Sequence, residues 1–215
     1  MKKHFSMMVF VSLFTAVALC SCGKDDDDGP SGAFDGAVVV AVQNGSSYSS
    51  KVDSVKVLIV TGENYDQETG SYSWAGPTVA KAAYNGGNFT FQLPATVSST
   101  YLDVLFDNPP AGVSISDSKV KTAIARVLAY KEGEQVGEFY YSTGEWTTIF
   151  VYVNGDLSVT GTATDDTGDG GQYTSKFNAH LKQGWNKLYV QADENKEEQT
   201  TKTPAGTLKW IAHVE

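Results

Sequence analysis

Two histidines lie beyond the first 21 residues, and imidazoles are the side chains best suited to acid–base chemistry near neutral pH. His180 stands in FNAHL, where it alternates with apolar residues, and His213 stands in KWIAHVE on a similar polar face. We therefore predict that both are exposed at the surface. No GxSxG or HExxH motif accompanies them, so the sequence does not indicate serine-triad or zinc chemistry.

Three glutamates, Glu134, Glu138 and Glu145, are near enough in sequence to suggest the carboxylate pair of a glycosidase. Such an enzyme needs two carboxyl groups about 5 to 10 Å apart. However, these residues flank turns in an acidic chain, where neighbouring carboxylates arise by chance. We predict that the protein has no catalytic centre and is not an enzyme.

A second acidic group, Asp165, Asp166 and Asp169, lies among glycines in TATDDTGDGGQYT, residues 162–174. Carboxylate oxygens on a loop suit Ca²⁺, which takes six to eight oxygen ligands. The spacing does not match the twelve-residue calcium loop, and Asp/Gly tracts commonly form exposed hairpin tips. Calcium is therefore the alternative to the expectation that the protein has no cofactor.

Aromatic residues are concentrated in ENYDQETGSYSWAGP, residues 63–77. Tyr72 and Trp74 are two positions apart, so they project the same way in an extended chain, and Tyr65 can join them. Flat rings beside carboxylate and amide acceptors form a platform for sugars. The segment therefore predicts a possible glycan-binding site. The alternative is that Trp74 packs beneath the loop as part of the core.

The elements that position these residues are strands, because apolar residues recur with a period of two. Pairs such as Asn44-Gly45, Glu132-Gly133 and Asn154-Gly155 separate the runs and supply turn conformations. We expect the Asn154-Gly155-Asp156 turn to close a hairpin between TIFVYV and LSVTG. The clearest alternating sets are Val55, Val57 and Ile59; Phe89, Phe91 and Leu93; and Ile149, Val151 and Val153.

One segment also fits a helix, since Val120, Ile124, Val127 and Leu128 follow helical spacing after Ser116-Asp117. We favour a single capped turn followed by a strand that continues to the Glu132-Gly133 turn.

The sequence therefore predicts an all-β fold, an antiparallel β-sandwich of the immunoglobulin or transthyretin type. It is either one large sandwich or two small stacked ones. Two prolines make residues 106–118 a possible boundary within the region 34–215. Trp146, Trp185 and Trp210 begin or lie within alternating runs, and we expect them in the core.

The stretch AYNGGNFTFQLP also resembles a strand of carboxypeptidase-regulatory-like modules, which are small β-sandwiches.

The first 21 residues have the features of a secretory signal, with Lys2 and Lys3 followed by a short apolar run. This run is too short to span a bilayer, which needs about 20 apolar residues. Leu19-Cys20-Ser21-Cys22 resembles a lipobox, which implies that Cys22 becomes the lipidated first residue of the mature chain. Cys20 fits less well, because Leu19 would stand where a small residue is needed.

Residues 22–33 continue with Lys24 and then Asp25, Asp26, Asp27 and Asp28. This stretch resembles the acidic export signal of Bacteroidetes-type surface lipoproteins. The resemblance covers residues 1–28 and implies an outer-membrane lipoprotein, held by its lipid and exposed at the cell surface. Because like charges repel and stay hydrated, the run also fits an acidic tether without a sorting role.

Composition limits the partners of the mature chain. The full chain carries a net charge of -9, and removal of Lys2 and Lys3 leaves 14 basic against 25 acidic residues, or -11. Arg126 is the single arginine. An acidic chain without clustered arginines is repelled by nucleic acid, so we expect no nucleic-acid binding. One cysteine would remain after processing, which excludes an internal disulfide.

Two functional hypotheses follow. The first is a lipid-anchored, non-catalytic binding or accessory protein at the cell surface, with glycans as the suggested ligand. The second is a structural or adhesive subunit that assembles with surface protein partners, and it predicts an exposed strand edge or an apolar patch. A hydrolase of unrecognised type is a third possibility.

Overall fold

A computed structural model describes residues 36–66, 71–106, 108–166 and 171–214, and the side chains at 65, 66, 71 and 72 are outside this description. The described chain is an all-β sandwich, which confirms the predicted fold class. Its strands are β1 Ala37–Ala41, β2 Ser54–Ile59, β3 Gly62–Asp66, β4 Ser71–Ala75, β5 Thr78–Ala83, β6 Asn88–Gln92, β7 Asp103–Val104, β8 Val113–Ile115, β9 Lys121–Lys131, β10 Glu134–Ser142, β11 Thr147–Val153, β12 Leu157–Asp166, β13 Gln172–Leu181, β14 Gly184–Ala192, β15 Lys196–Thr200 and β16 Lys209–Val214.

Most strands belong to one extended sheet, in the order β5-β2-β9-β10-β11-β14-β15-β13-β12-β8. Strand β16 pairs with β10, and β7 pairs with β9. Two further pairs, β1 with β6 and β3 with β4, stand apart from this sheet. The named strand pairs are antiparallel except β13 with β15, which run parallel.

Strand β9 is the centre of the sheet. Lys119 donates its backbone N–H to Asp117 Oδ1 at 2.9 Å, and the strand starts two residues later. This confirms the predicted capped turn followed by a strand. One edge of β9 pairs with β2, while the other pairs with β11 at one end and β10 at the other.

Two hydrophobic cores lie on opposite faces of β11, because its side chains alternate. Phe150 and Tyr152 enter the first core, whereas Val151 and Val153 enter the second. The two cores therefore share this strand as a common wall. The first core includes Val57, Ile59, Phe89, Phe139, Trp185 and Trp210, and the second includes Val153, Leu157, Val159, Phe177, Ala179 and Leu181.

Residues 108–118, with Phe106 before them, lie against the second core. Val113 in β8 is buried, β8 pairs with β12, and the Phe106 ring meets Phe177 edge-on at 6.0 Å. The segment around the two prolines thus covers one core, and the next strand, β9, returns to the other core.

The predicted hairpin at Asn154-Gly155-Asp156 is wrong. Strands β11 and β12 flank this turn but pair with other strands, β11 with β14 and β12 with β13. The turn residues bond elsewhere: Asn154 Oδ1 accepts from the backbone N–H of Lys121, and Asp156 Oδ1 accepts from that of Gln183. Both strands direct apolar residues into the second core. The turn therefore connects two strands that pack against the same core without pairing with each other.

The prediction of buried tryptophans is confirmed for two of the three residues. Trp185 is 2% exposed and Trp210 is 6% exposed. Trp146 is half-buried at the β10–β11 turn.

The segment predicted as an aromatic loop is a hairpin, β3–β4, that continues the β2–β5 pair. We call residues 61–76 the arm. At its base, Ile59 donates its N–H to Pro77 O at 3.0 Å, and Thr61 donates to Ala75 O at 2.9 Å. Gly76 lies between these bonds, and a Cβ there would stand 1.7 Å from Ile59 O. The base of the arm therefore requires glycine at this position.

We expect Gly76→Ala to lower the free energy of unfolding by about 1–3 kcal/mol, because the backbone at the arm's base must move. Gly62→Ala is the matched control, since its Cβ would meet only Ala75 Cβ at 3.9 Å. Urea titration of both variants measures the difference. Equal stability of the two variants would contradict the steric argument.

Candidate binding surfaces

The arm brings the three predicted aromatic residues onto one hairpin. Tyr65 is the register partner of Tyr72, and Trp74 is the partner of Glu63. Residues 67–70 at the tip, and the side chains of both tyrosines, lie outside the described residues. The pairing nevertheless places the three positions on two antiparallel strands, with the Tyr65–Tyr72 pair two register pairs beyond the Glu63–Trp74 pair.

Trp74 is half-buried against the outer face of the main sheet. It packs on a small cluster of Leu58, Leu128 and Tyr130, which is separate from both cores. Its backbone N–H donates to Gln135 Oε1 at 3.3 Å. The ring therefore packs as the core interpretation expects, although a half-buried side chain still retains accessible surface.

Arg126 is the residue that orders this surface, and composition gave no hint of it. Its guanidinium carbon lies 4.0 Å from the centroid of the Trp74 ring, a cation–π contact. Its Nη1 lies 3.1 Å from Glu138 Oε2, in an ion pair whose side chains are 20% and 16% exposed. Arginine suits both contacts because its planar group stacks and donates at the same time.

Tyr140 completes the polar chain by donating its hydroxyl to Glu138 Oε1. Burial and the neighbouring carboxylate raise the pKa of the Tyr140 hydroxyl far above its ordinary value. The hydroxyl thus stays a neutral donor throughout the physiological range. Arg126, Glu138 and Tyr140 are thus a linked set of polar side chains that supports Trp74 of the arm.

The three glutamates singled out in the sequence do not converge. Glu138 is engaged by Arg126 and Tyr140, whereas Glu134 and Glu145 are exposed. Glu134 begins β10 and Glu145 follows its end. The nine residues of β10 span about 26 Å, beyond the separation that a glycosidase pair requires.

Both histidines are exposed, as predicted. His180 has a neighbour that sequence reasoning missed: its Nδ1 lies 3.0 Å from Ser158 Oγ. The two are register partners on β13 and β12, so the contact is a cross-strand pair on an exposed sheet surface. The contact depends on the register between β12 and β13, which cannot be predicted from the sequence.

Of the three aspartates considered for calcium, Asp165 and Asp166 end β12 and are exposed. Their register partners are Tyr173 and Gln172. Asp169 lies outside the described residues. Within the described ranges, no group of three or more His, Cys, Asp or Glu residues is arranged to hold a metal ion.

Glu197 is a buried carboxylate that the sequence did not single out, 6% exposed on β15. Burial raises the pKa of its carboxyl group, while hydrogen bonds from Gln199 and Tyr173 act in the opposite direction. Because the pKa of the folded state lies above the unfolded value, ionisation of Glu197 opposes folding. Its protonated form contributes stability below the unfolded pKa, and that contribution is lost as pH rises through the folded pKa.

We therefore expect Glu197→Gln to raise the melting temperature by a few degrees at pH 7. In a chain of this size, a gain of 1 kcal/mol in the free energy of unfolding corresponds to about 2–4 °C. The gain should shrink as the pH approaches 4, because wild-type Glu197 is then protonated. Glu198→Gln is the control, since Glu198 is partly exposed in an ion pair with Lys176 at 2.9 Å. Calorimetry between pH 4 and 8 tests this, and a pH-independent gain would contradict it.

A groove of about 590 Å³ runs along β1, on the side of the molecule where β16 begins. We call it the β1 groove. The buried rings of Phe150 and Trp210, stacked with centroids 6.2 Å apart, form its base, and Tyr141 adjoins Trp210 at 5.3 Å. Lys187 and Lys209 also line it. The volume falls within the usual range of ligand sites, about 300–1,000 Å³.

Comparison with known proteins adds no relative: no protein-family model matches this chain, and neither a curated protein nor a solved structure is significantly similar to it. Among the described residues, no helix has the length and apolar character needed to cross a membrane. Cys22, Lys24 and Asp25 to Asp28 lie outside the described residues.

Proposed function

We propose that the protein is a lipid-anchored binding or accessory protein of the cell surface, without a catalytic centre, that contacts glycans or another extracellular polymer through its arm. In this proposal Cys22 carries the lipid, and Lys24 with Asp25 to Asp28 directs export to the outer surface of the outer membrane. The membrane is then a partner through the anchor alone, and nucleic acid is not a ligand.

The observation that carries the proposal is the support of Trp74 by Arg126 at 4.0 Å. A ring already held in place loses little conformational entropy when a ligand stacks on it. The register of the arm adds the positions of Tyr65 and Tyr72 two register pairs further out, and Glu63 and Asn64 are exposed on β3. Aromatic faces beside polar acceptors suit the apolar and hydroxyl faces of a sugar ring.

A glycan array followed by affinity electrophoresis tests the arm. We expect the wild type to be retained by at least one glycan class and Trp74→Ala to lose at least tenfold in affinity. Tyr101→Ala is the matched control, since Tyr101 is an aromatic residue that is 41% exposed and does not belong to the arm. Absence of retention by every glycan, or equal retention of wild type and Trp74→Ala, would contradict glycan binding.

The anchor is tested separately by mass spectrometry of the membrane fraction. We expect an N-terminal peptide that begins at lipid-modified Cys22. Cys22→Ala should leave the precursor unprocessed, whereas Cys20→Ala should be processed and lipidated normally. An unmodified Cys22 in the wild type would contradict the proposed lipid anchor and would leave the proposal of glycan binding by the arm untouched.

A second candidate function is that of a structural or adhesive subunit that assembles with protein partners. It is supported by β1, which pairs with β6 along one edge and carries Val39, a valine 78% exposed. Proteins usually protect such edges with charges, prolines or a covering element. Light scattering of the mature protein, alone and with extracts of the cell surface, tests for assembly.

A further inference from the structure

The main sheet presents one face to the arm, on the side opposite the first core. Val55 of β2 and Val127 of β9 point into that core, so the residues that alternate with them point outward. The small cluster on which Trp74 packs belongs to this outward set. We call this surface the arm face, and its residues are Lys56, Leu58, Lys81, Arg126, Leu128, Tyr130, Glu138, Tyr140, Ile211 and His213.

One row of register partners crosses the arm face from β5 to β16 and carries most of its charge. In strand order the row consists of Lys81, Lys56, Leu128, Glu138 and His213. Lys81 and Lys56 therefore stand directly opposite each other at one end of the row. Like charges in this arrangement destabilise a sheet, so the lysine pair opposes folding in the absence of a ligand.

The carboxylates of the described residues do not neutralise this pair. Within those residues the ion pairs join other groups, and neither Lys56 nor Lys81 belongs to one. Glu138 is engaged by Arg126 at 3.1 Å, and Glu63, which is exposed on the arm, forms no ion pair with either lysine. The lysine end of the row is therefore a local concentration of positive charge in a chain whose net charge is -9.

Lys56 connects this charge to the aromatic site. Its Nζ lies 3.6 Å from the ring centroid of Tyr130, a cation–π contact that holds the long side chain in place. Tyr130 belongs to the cluster on which Trp74 packs. The ammonium group and the indole ring are thus held by the same cluster, so a ligand on Trp74 lies next to a fixed positive charge.

We propose that the arm face binds an acidic glycan, whose sugar rings carry carboxylate or sulfate groups. One sugar ring stacks on Trp74, and an anionic substituent lies between the ammonium groups of Lys56 and Lys81. An anion at this position removes the repulsion between the two lysines, which favours the acidic ligand over a neutral one. The inference rests on the proposed binding of glycans by the arm and adds the chemical class of the ligand.

Matched polymers test the need for charge. Polygalacturonate is compared with its methyl ester, which keeps the sugars and lacks the carboxylates, and dextran sulfate is compared with dextran. The acidic and neutral members of the glycan array extend the comparison. In affinity electrophoresis, we expect the acidic member of at least one pair to bind at least tenfold more tightly than its neutral counterpart.

Salt and a polymer without sugars complete the ligand series. The preference for the acidic member should shrink between about 50 and 500 mM salt, because screening shortens the range of the lysine charges. Polyglutamate carries carboxylates on a chain without sugar rings and should not be retained. The polymer pair that shows the preference identifies the anion as carboxylate or sulfate.

Protein variants locate the site. Lys56→Gln and Lys81→Gln should each weaken binding of the acidic polymer at least fivefold. Lys202→Gln is the matched control, since Lys202 is exposed, lies outside the arm face and alters the net charge equally. Trp74→Ala should also weaken binding, because it removes the stacking surface. Circular dichroism confirms that each variant is folded.

Failure of this inference is distinguishable from failure of the arm as a glycan site. Equal affinity for acidic and neutral polymers, or acidic binding that both lysine substitutions leave unchanged, would overturn the inference, and sensitivity to Trp74→Ala would then leave glycan binding intact. Retention of polyglutamate, or acidic binding unaffected by Trp74→Ala, would show adsorption by charge alone and overturn it as well. Absence of retention by every glycan would overturn the proposed function together with the inference.

Discussion

Replacing Leu157 with alanine is expected to shift the unfolding transition reported by tryptophan fluorescence, although none of the four tryptophans belongs to the second core. Leu157 is 2% exposed within that core. Truncation of a buried leucine costs about 2–5 kcal/mol through lost burial and the cavity left behind. The loss should reach the tryptophans because β11 contributes side chains to both cores.

The measurement compares fluorescence with circular dichroism during urea unfolding. We expect one transition with coincident midpoints in the wild type and in Leu157→Ala, as two-state behaviour requires. Leu93→Ala is the matched control, since Leu93 is 1% exposed in the first core. A fluorescence midpoint that Leu157→Ala leaves in place, while circular dichroism shows an earlier second transition, would show that the cores unfold separately.

Arg126→Ala is expected to destabilise the protein by about 2–3 kcal/mol. Removal of one partner from a largely buried ion pair leaves the other charge without compensation, and this costs about 3–5 kcal/mol when both groups are fully buried. The Arg126 and Glu138 side chains are 20% and 16% exposed, so the expected cost falls below the value for full burial. Loss of the contact with Trp74 adds to the effect and loosens the arm.

The control is an exposed ion pair of the same type. Lys176 and Glu198 are 57% and 37% exposed, and Lys176→Ala should cost less than about 1 kcal/mol. The double variant Arg126→Ala with Glu138→Gln should recover part of the stability, because the unpaired charge is then absent. A double variant as unstable as the sum of the single changes would contradict this explanation. Chemical denaturation measures the free energy of unfolding of Arg126→Ala, Glu138→Gln, the double variant and the control Lys176→Ala.

The elements of this fold could be predicted from the sequence because alternation is a local signal. The period of two in Val55, Val57 and Ile59 identified the buried face of β2, and all three are at most 1% exposed. The same signal favoured a strand over a helix for β9, and Ala123, Ala125, Val127 and Ala129 alternate into the first core. On the other face Leu128 and Tyr130 are buried as well, in the cluster with Trp74.

Strand partners could not be predicted in the same way. The Asn154-Gly155 turn has the composition of a hairpin, but pairing depends on which distant strands compete for the same edge. Here β14 and β13 take the edges of β11 and β12. A turn signal fixes where the chain bends and leaves open whether the flanking strands pair.

The candidate sites were predicted only in part, for the same reason. The aromatic segment of the arm was evident, because Trp74 and its neighbours are adjacent in sequence. The contact between Trp74 and Arg126 joins residues 52 positions apart, so no local sequence pattern predicts it. The β1 groove draws on residues from Ala37 to Trp210 and exists only after the sheet has closed.

Strand β1 also determines how pulling force would enter the molecule. If Cys22 is fixed in a membrane, tension on the protein arrives along the chain at Gly36 and is transmitted directly to β1. Five register pairs with β6 then carry it together, because a pull along the strand axis strains all of these bonds at once. The anchored protein should therefore resist detachment under flow until this strand pair yields as one unit.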